Sequence, residues 1–144
     1  MARGDVAACA AIVGETPLWK DVYGLTPERA ETLFHGALER KEGLLVAEEG
    51  GEAIGFAWFL ARGAFGRSGY LRLIGVREDR RNSRAGAVLL QSVEAAAGDD
   101  LFILVSDFNA DARRFYSRHG YEEIGKLPGY ILQDVAEIIL WRRK

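Results

Sequence analysis

The sequence predicts an α/β (α+β) domain built on one mixed β-sheet with helices packed against it, and three features carry that expectation. Segments with apolar residues at helical spacing alternate with short apolar runs of strand length. A paired-glycine turn joins two of the strand-like runs. An unbroken apolar run, Leu101-Phe102-Ile103-Leu104-Val105, reads as a strand in the interior of the sheet.

Asp5 to Val13 reads as a short helix with Asp5 as its cap and Gly14 as its end. Cys9 lies on it and reads as a small packed residue rather than a nucleophile. A second helix starts at Thr26-Pro27-Glu28, where Thr26 can cap and Pro27 suits the first turn. Ala30, Leu33, Phe34, Ala37 and Leu38 then form its apolar stripe. Between the helices, Glu15 to Leu25 is polar and aromatic, and is either a lid over a site or a connection.

Leu44 to Ala47 and Ala53 to Leu60 flank Glu48-Glu49-Gly50-Gly51-Glu52, a hairpin whose glycines supply positive φ and whose glutamates read as solvated turn residues. A third strand, Tyr70 to Val76, ends in a charged loop. A helix follows from Arg84 to Ala97, with Ala85, Val88, Leu89, Ser92, Val93 and Ala96 on one stripe, and Gly98 closes it. Leu101 to Val105 is expected to be a central strand covered on both faces. Asn109 then caps a helix that places Ala112, Phe115, Tyr116 and His119 on one face. Strands near Tyr121 to Leu127 and Val135 to Arg142 finish the chain. No repeat or linker divides residues 1–144, so a single domain is expected.

A chain of 144 residues with 49% hydrophobic residues can bury one core. Nineteen basic against 21 acidic residues leave a net charge of -2, so no global field draws it to nucleic acid or membrane. The arginines at 77, 80, 81 and 84 are interrupted by Glu78 and Asp79 and lack interleaved aromatics, which argues against a nucleic-acid patch. The single cysteine excludes an internal disulfide. The first 30 residues show no secretory pattern, so a cytoplasmic protein with no metal site is expected.

The loop Arg80-Arg81-Asn82-Ser83-Arg84-Ala85-Gly86-Ala87 joins a strand to a helix. The first amides of a helix have no internal acceptor and its dipole is positive there, so the turn is a natural anion site. Gly86 leaves the backbone bare, and three arginines surround it; a pyrophosphate suits this chemistry. The alternative is an ordinary cap at Ser83, a closely packed Gly86 and a solvated charge run.

Val76 followed by Arg81-Asn82-Ser83-Arg84-Ala85-Gly86 and Val88-Leu89-Leu90 resembles the GNAT superfamily pattern Q/R-x-x-G-x-G/A. Arg84 replaces the first glycine of that pattern. Downstream, Asn109-Ala110-Asp111-Ala112-Arg113-Arg114-Phe115-Tyr116-Ser117-Arg118-His119-Gly120-Tyr121 is similar to the superfamily's N-x-x-A-x-x-x-Y-x-x-x-G-F/Y. The resemblance spans nearly the whole chain. It implies a GNAT-like fold, with a mostly antiparallel sheet, splayed central parallel strands and helices on both faces. Residues 1–4 leave little room for the family's usual first strand.

The resemblance also implies an N-acetyltransferase that moves an acetyl group from acetyl-CoA to a primary amine of a peptide, protein or small molecule. Ile74, Gly75 and Val76 would pair with the pantetheine arm, and the Val76 amide, or a neighbour's, would bind the oxyanion. Arg81, Asn82, Ser83, Arg84, Ala85, Gly86 and Ala87 would hold the pyrophosphate. Asn109 would contact the cofactor, and Tyr116 would face its sulfur. Proton donation from an unperturbed phenol to a thiolate is uphill by roughly 2 kcal/mol, so Tyr116 needs a lowered pKa or acts as a hydrogen-bond donor.

The base that frees the amine is not identified by the motifs. By analogy the acceptor would lie near Glu15, Asp21 and Tyr23 and near Tyr130, Gln133 and Asp134. His119 and His35 read as packed or surface residues. A non-catalytic acyl-CoA-binding or regulatory module of the same fold is the open alternative, and a homodimer is an open oligomeric state.

Overall fold

The computed structural model describes residues 1–98 and 100–143. Helix α1 (Val6–Gly14) and helix α2 (Pro27–Glu39) pack on each other and bury Val6, Cys9, Ile12, Val13, Ala30, Phe34 and Ala37. Asp5 stands at the cap position of α1, but its carboxylate accepts the Ala2 amide at 2.8 Å and closes a 3-10 turn, Arg3–Asp5, instead of capping. Gly14 belongs to α1 and does not end it in a left-handed turn. A Cβ there would lie 2.6 Å from Cγ of Pro27, so the glycine admits the start of α2. That start follows the sequence: Thr26 Oγ1 accepts the Arg29 amide, and Pro27 occupies the first turn.

One sheet carries six strands in the order β1-β2-β3-β4-β6-β5. Strands β1 (Gly43–Glu49) and β2 (Glu52–Ala64) form the expected hairpin, with φ of 58° at Gly50 and 81° at Gly51. β2 runs past the expected end at Leu60 and turns at Phe65-Gly66 into β3 (Ser68–Val76). Arg62 and Gly63 break the apolar pattern because this part of the ribbon is exposed, and the sequence therefore hides the second hairpin.

Strand β4 (Leu101–Ser106) pairs in parallel with β3 and antiparallel with β6 (Ala136–Arg142), which pairs with β5 (Glu122–Pro128). Helices α3 (Ala85–Ala97) and α4 (Ala110–Arg118) lie on the face opposite α1 and α2, so two apolar clusters sandwich the sheet. Trp58, Phe34 and Phe56 are the largest sealed side chains of the α1/α2 cluster. Each stabilises the fold by roughly 1.5–3 kcal/mol through burial.

β4 is not covered on both faces. Leu101, Ile103 and Val105 are buried in the α3/α4 cluster, whereas Phe102 and Leu104 face the other way and are half-buried. Phe102 stacks on Trp141 at 5.6 Å, so a neighbouring aromatic takes the place of a helix there. Among the described residues, no helix is long and apolar enough to cross a membrane.

Candidate active site

The parallel ladder between β3 and β4 covers only Gly69, Tyr70 and Leu71 opposite Leu101, Phe102 and Ile103. A bulge follows at Arg72: Phe59 pairs with Leu71 and Trp58 with Leu73, so Arg72 is the extra residue. Beyond it the strands diverge. The Arg77 amide donates to the Ile54 carbonyl on β2 at 2.7 Å. Alternation along the strand then turns Gly75 toward β2, and turns the amides and carbonyls of Ile74 and Val76 toward the gap.

A cavity of about 630 Å³ occupies this gap and reaches both faces of the sheet. On the α3/α4 side it is lined by Val76, Gly86, Asn109, Phe115 and Tyr116. On the α1/α2 side its walls include Trp19, Tyr23, Trp58, Arg72, Ser106 and Glu137. Segment Glu15 to Leu25, expected as lid or connection, is a wall. It forms a single π-helical segment, Leu18–Val22, and Trp19 crosses the Gly75 backbone so closely that a Cβ on Gly75 would lie 3.1 Å from its ring and 2.8 Å from Phe56.

The first turn of α3 retains unmet donors. Ser83 Oγ accepts the Ala85 amide at 3.2 Å, and the Val88 amide makes the first helical bond, to the Arg84 carbonyl. Between them the Gly86 and Ala87 amides have no acceptor among the described residues. A Cβ on Gly86 would meet the Phe115 ring at 3.6 Å and Val76 at 3.7 Å, which is ordinary contact. Packing within the protein therefore does not require glycine at this position.

The three arginines expected around this loop are reduced to two. Arg80 is held by Glu49 at 2.6 Å and by Asp79, because the β1–β2 turn glutamates lie beside the loop. Arg77 is likewise paired with Asp79 and Glu52. Arg81 reaches only the Glu15 carbonyl and the Thr16 hydroxyl, each at 3.4 Å, and Arg84 has no ion pair among the described residues. Asn82 and Ser83 are exposed in the loop, and Ala85 is buried beneath it.

Asn109 Oδ1 accepts the Ala112 amide at 3.2 Å and so caps α4, while the residue also lines the cavity. Tyr116 is 5% exposed, with its ring edge-on to Phe115 and Tyr121. Its hydroxyl has no protein partner among the described residues, and burial raises its pKa.

Several candidates lie apart from the cavity. His119 Nδ1 bonds the Phe115 carbonyl at 2.8 Å, and His35 on α2 has a buried Nδ1 with no partner among the described residues. Glu15 accepts the Glu78 amide at 2.9 Å and ties the wall to the β3–α3 loop. Asp21, Tyr130, Gln133 and Asp134 are exposed and do not line the cavity. Tyr23 does line it, with its hydroxyl bonded to Ser106 Oγ at 2.6 Å and to Glu137. Sequence reading missed Glu137 and Ser106; the available signal was a lone carboxylate inside the apolar strand Ala136-Glu137-Ile138-Ile139-Leu140.

The sequence profile of the acetyltransferase (GNAT) family matches residues 12–121. The fold is similar to that of a provisionally named GNAT acetyltransferase from Desulfovibrio desulfuricans, 23% identical over 97% of this chain and 92% of that one, at a TM-score of 0.81. It is also similar to the ribosomal-protein-alanine N-acetyltransferase of Brucella melitensis, 19% identical, covering 100% and 97% of the two chains at a TM-score of 0.78. A third likeness is to yncA from Salmonella typhimurium, provisionally named an acetyltransferase and solved with its cofactor acetyl-CoA. It is 17% identical over 99% and 90% of the chains, with a TM-score of 0.77. No curated protein matches the sequence at a significant level.

Proposed function

The chain belongs to the GNAT acetyltransferase family, and from that premise we propose that it transfers an acetyl group from acetyl-CoA to a primary amine by direct attack. The observation that carries this reading is the gap between β3 and β4. It joins a helix start with unmet amides to a cavity that crosses the sheet. Acetyl-CoA supplies an acyl group already activated as a thioester.

The residues suit that guest. The Gly86 and Ala87 amides, with Arg81 and Arg84, Asn82 and Ser83 around them and Ala85 beneath, form the pyrophosphate end. The Ile74 and Val76 backbone offers unpaired strand edge to an amide-bearing arm, and Gly75 keeps that edge flat under Trp19. The Val76 amide is the donor placed for an oxyanion. Asn109 and Tyr116 stand on the other wall, and Tyr116 acts as a hydrogen-bond donor to the departing sulfur rather than as a strong acid. A cytoplasmic, single-domain enzyme remains our reading of the chain.

Isothermal titration with acetyl-CoA tests this reading. Saturable binding by the wild type, weakened in Gly86→Ala, is expected. Absence of heat at millimolar ligand in folded protein overturns it.

A further inference from the structure

Glu137 is 2% exposed, yet no cation among the described residues lies within ion-pair distance of it. Among the described residues no ion pair includes it, and its one polar partner is the Tyr23 hydroxyl. Tyr23 has a single proton. Donating it to Oε1 of Glu137 leaves the phenol oxygen to accept from Ser106 Oγ at 2.6 Å. Ser106 is the cross-strand neighbour of Glu137 and is also buried, so Ser106, Tyr23 and Glu137 form one directed chain of hydrogen bonds. Oε2 of Glu137 receives no protein donor among the described residues.

A carboxylate taken out of water ordinarily finds an arginine, a lysine or several amides, because leaving it uncompensated is costly. This one lines the cavity on the α1/α2 side of the gap, with Tyr116 on the opposite side. The titratable groups around the cluster are Tyr23 on the wall, Tyr70 on β3, Asp107 after β4 and Tyr130 in the β5–β6 loop. Arg72, which also lines the cavity, is drawn over the Trp58 ring at 4.1 Å, toward β2. Among the described residues no cation pairs with Glu137, so a cationic guest in the cavity would meet an unmatched carboxylate.

We infer that the Glu137 carboxylate is the docking and proton-accepting group for the acceptor, which is therefore an aliphatic amine arriving as its ammonium ion. This rests on the acetyl-transfer reading above. One N–H proton of the ammonium passes to Glu137, and the freed lone pair forms the C–N bond to the thioester carbonyl carbon. The carbonyl re-forms as the C–S bond breaks. The sulfur leaves with the bonding pair and takes up the second nitrogen proton, and Glu137 returns its proton to water. One ammonium and one thioester give one amide, one thiol and one proton. The Tyr23 phenol is pushed up to about 12, by burial first and then by its bond to Glu137, so it remains the donor that aims the carboxylate.

Glu137→Gln keeps the size of the side chain and an oxygen for Tyr23, but cannot take the proton. Thiol release from acetyl-CoA is followed with lysine, ethanolamine, putrescine and a short peptide with a free N-terminus, from neutral to alkaline pH. For the variant, acetyl-CoA affinity is expected within about twofold of wild type, and kcat/KM at neutral pH lower by about 100-fold or more. The deficit narrows as pH nears the amine's own pKa, because solution then supplies the neutral amine. Glu137→Asp is expected to recover part of the rate with the wild-type pH profile, and decides the matter if the glutamine variant folds poorly.

Equal rates for Glu137→Gln and wild type overturn the inference, as does a deficit that is constant with pH, which marks a structural role. Wild type that binds acetyl-CoA but acetylates none of these amines also overturns it. Wild type that does not bind acetyl-CoA defeats the transferase reading itself.

Discussion

The Tyr23 hydroxyl donates to the buried Glu137 carboxylate, joining the π-helical wall of the cavity to β6 across 114 positions of sequence. This bond fastens a segment with no buried residue of its own to strand β6 of the sheet. Tyr23→Phe leaves Glu137 buried with no donor at either oxygen. Chemical denaturation is expected to show a loss of about 1–3 kcal/mol. An unchanged midpoint would mean that the bond does not hold the wall.

Gly86→Ala separates folding from ligand binding. Because an alanine Cβ meets only ordinary contacts there, the variant is expected to be as stable as wild type or more so, by up to about 1 kcal/mol from helix propensity. Its acetyl-CoA affinity is expected to fall about tenfold or more, since the methyl group stands between phosphate and the bare amides. A variant that is destabilised but binds normally would show that the glycine serves packing.

The arginines of the same loop are expected to divide by their partners. Arg84→Gln and Arg81→Gln should each weaken acetyl-CoA binding several-fold, by about 0.5–1.5 kcal/mol, and more at low salt. Arg80→Gln should change it by less than about twofold, because Glu49 and Asp79 already engage that guanidinium. Titrations at two salt concentrations check this, and equal losses for all three variants would contradict it.

Much of this was legible in the sequence. Thr26-Pro27, Gly50-Gly51 and Asn109 each sit where turn and cap chemistry put them, and Gly86 and Tyr116, drawn from the two motifs, line one cavity. Contacts between distant segments were not legible. The pairing of Arg80 with Glu49 depends on the β1–β2 turn lying beside the β3–α3 loop, which local pattern does not encode. Glu137 was hidden because a strand reads as apolar by its majority. Only the register opposite Ser106 shows that this carboxylate faces the cavity. The second hairpin was missed because its exposed ribbon, Ala61 to Gly63, has no apolar face to mark it.

Alkaline pH should unfold the protein. Burial, the largest cause, pushes the Cys9 thiol up to about 12, and Tyr23, Tyr70, Tyr116 and Tyr121 are all raised, again chiefly by burial. In the unfolded chain these groups lose protons first, so the unfolded state binds fewer protons than the native one and stability falls as pH rises. The contribution is complete below pH of about 9, and declines toward pH 12 by up to about 1.4 kcal/mol per pH unit for each group titrating only when unfolded. Denaturation midpoints from neutral to alkaline pH check this. Cys9→Ala should flatten the first part of the decline.

Tyr116→Phe gives the most direct measurement of the central claim, that the gap between β3 and β4 performs acetyl transfer. Thiol release and amide formation from acetyl-CoA and an aliphatic amine are followed for wild type and variant, with acetyl-CoA affinity measured on the same samples. The expected result is equal amounts of thiol and amide from wild type. In the variant, kcat should be about 10–1,000-fold lower and affinity within about threefold. A wild type that binds acetyl-CoA but forms no amide, or a variant altered in affinity alone, would contradict the account.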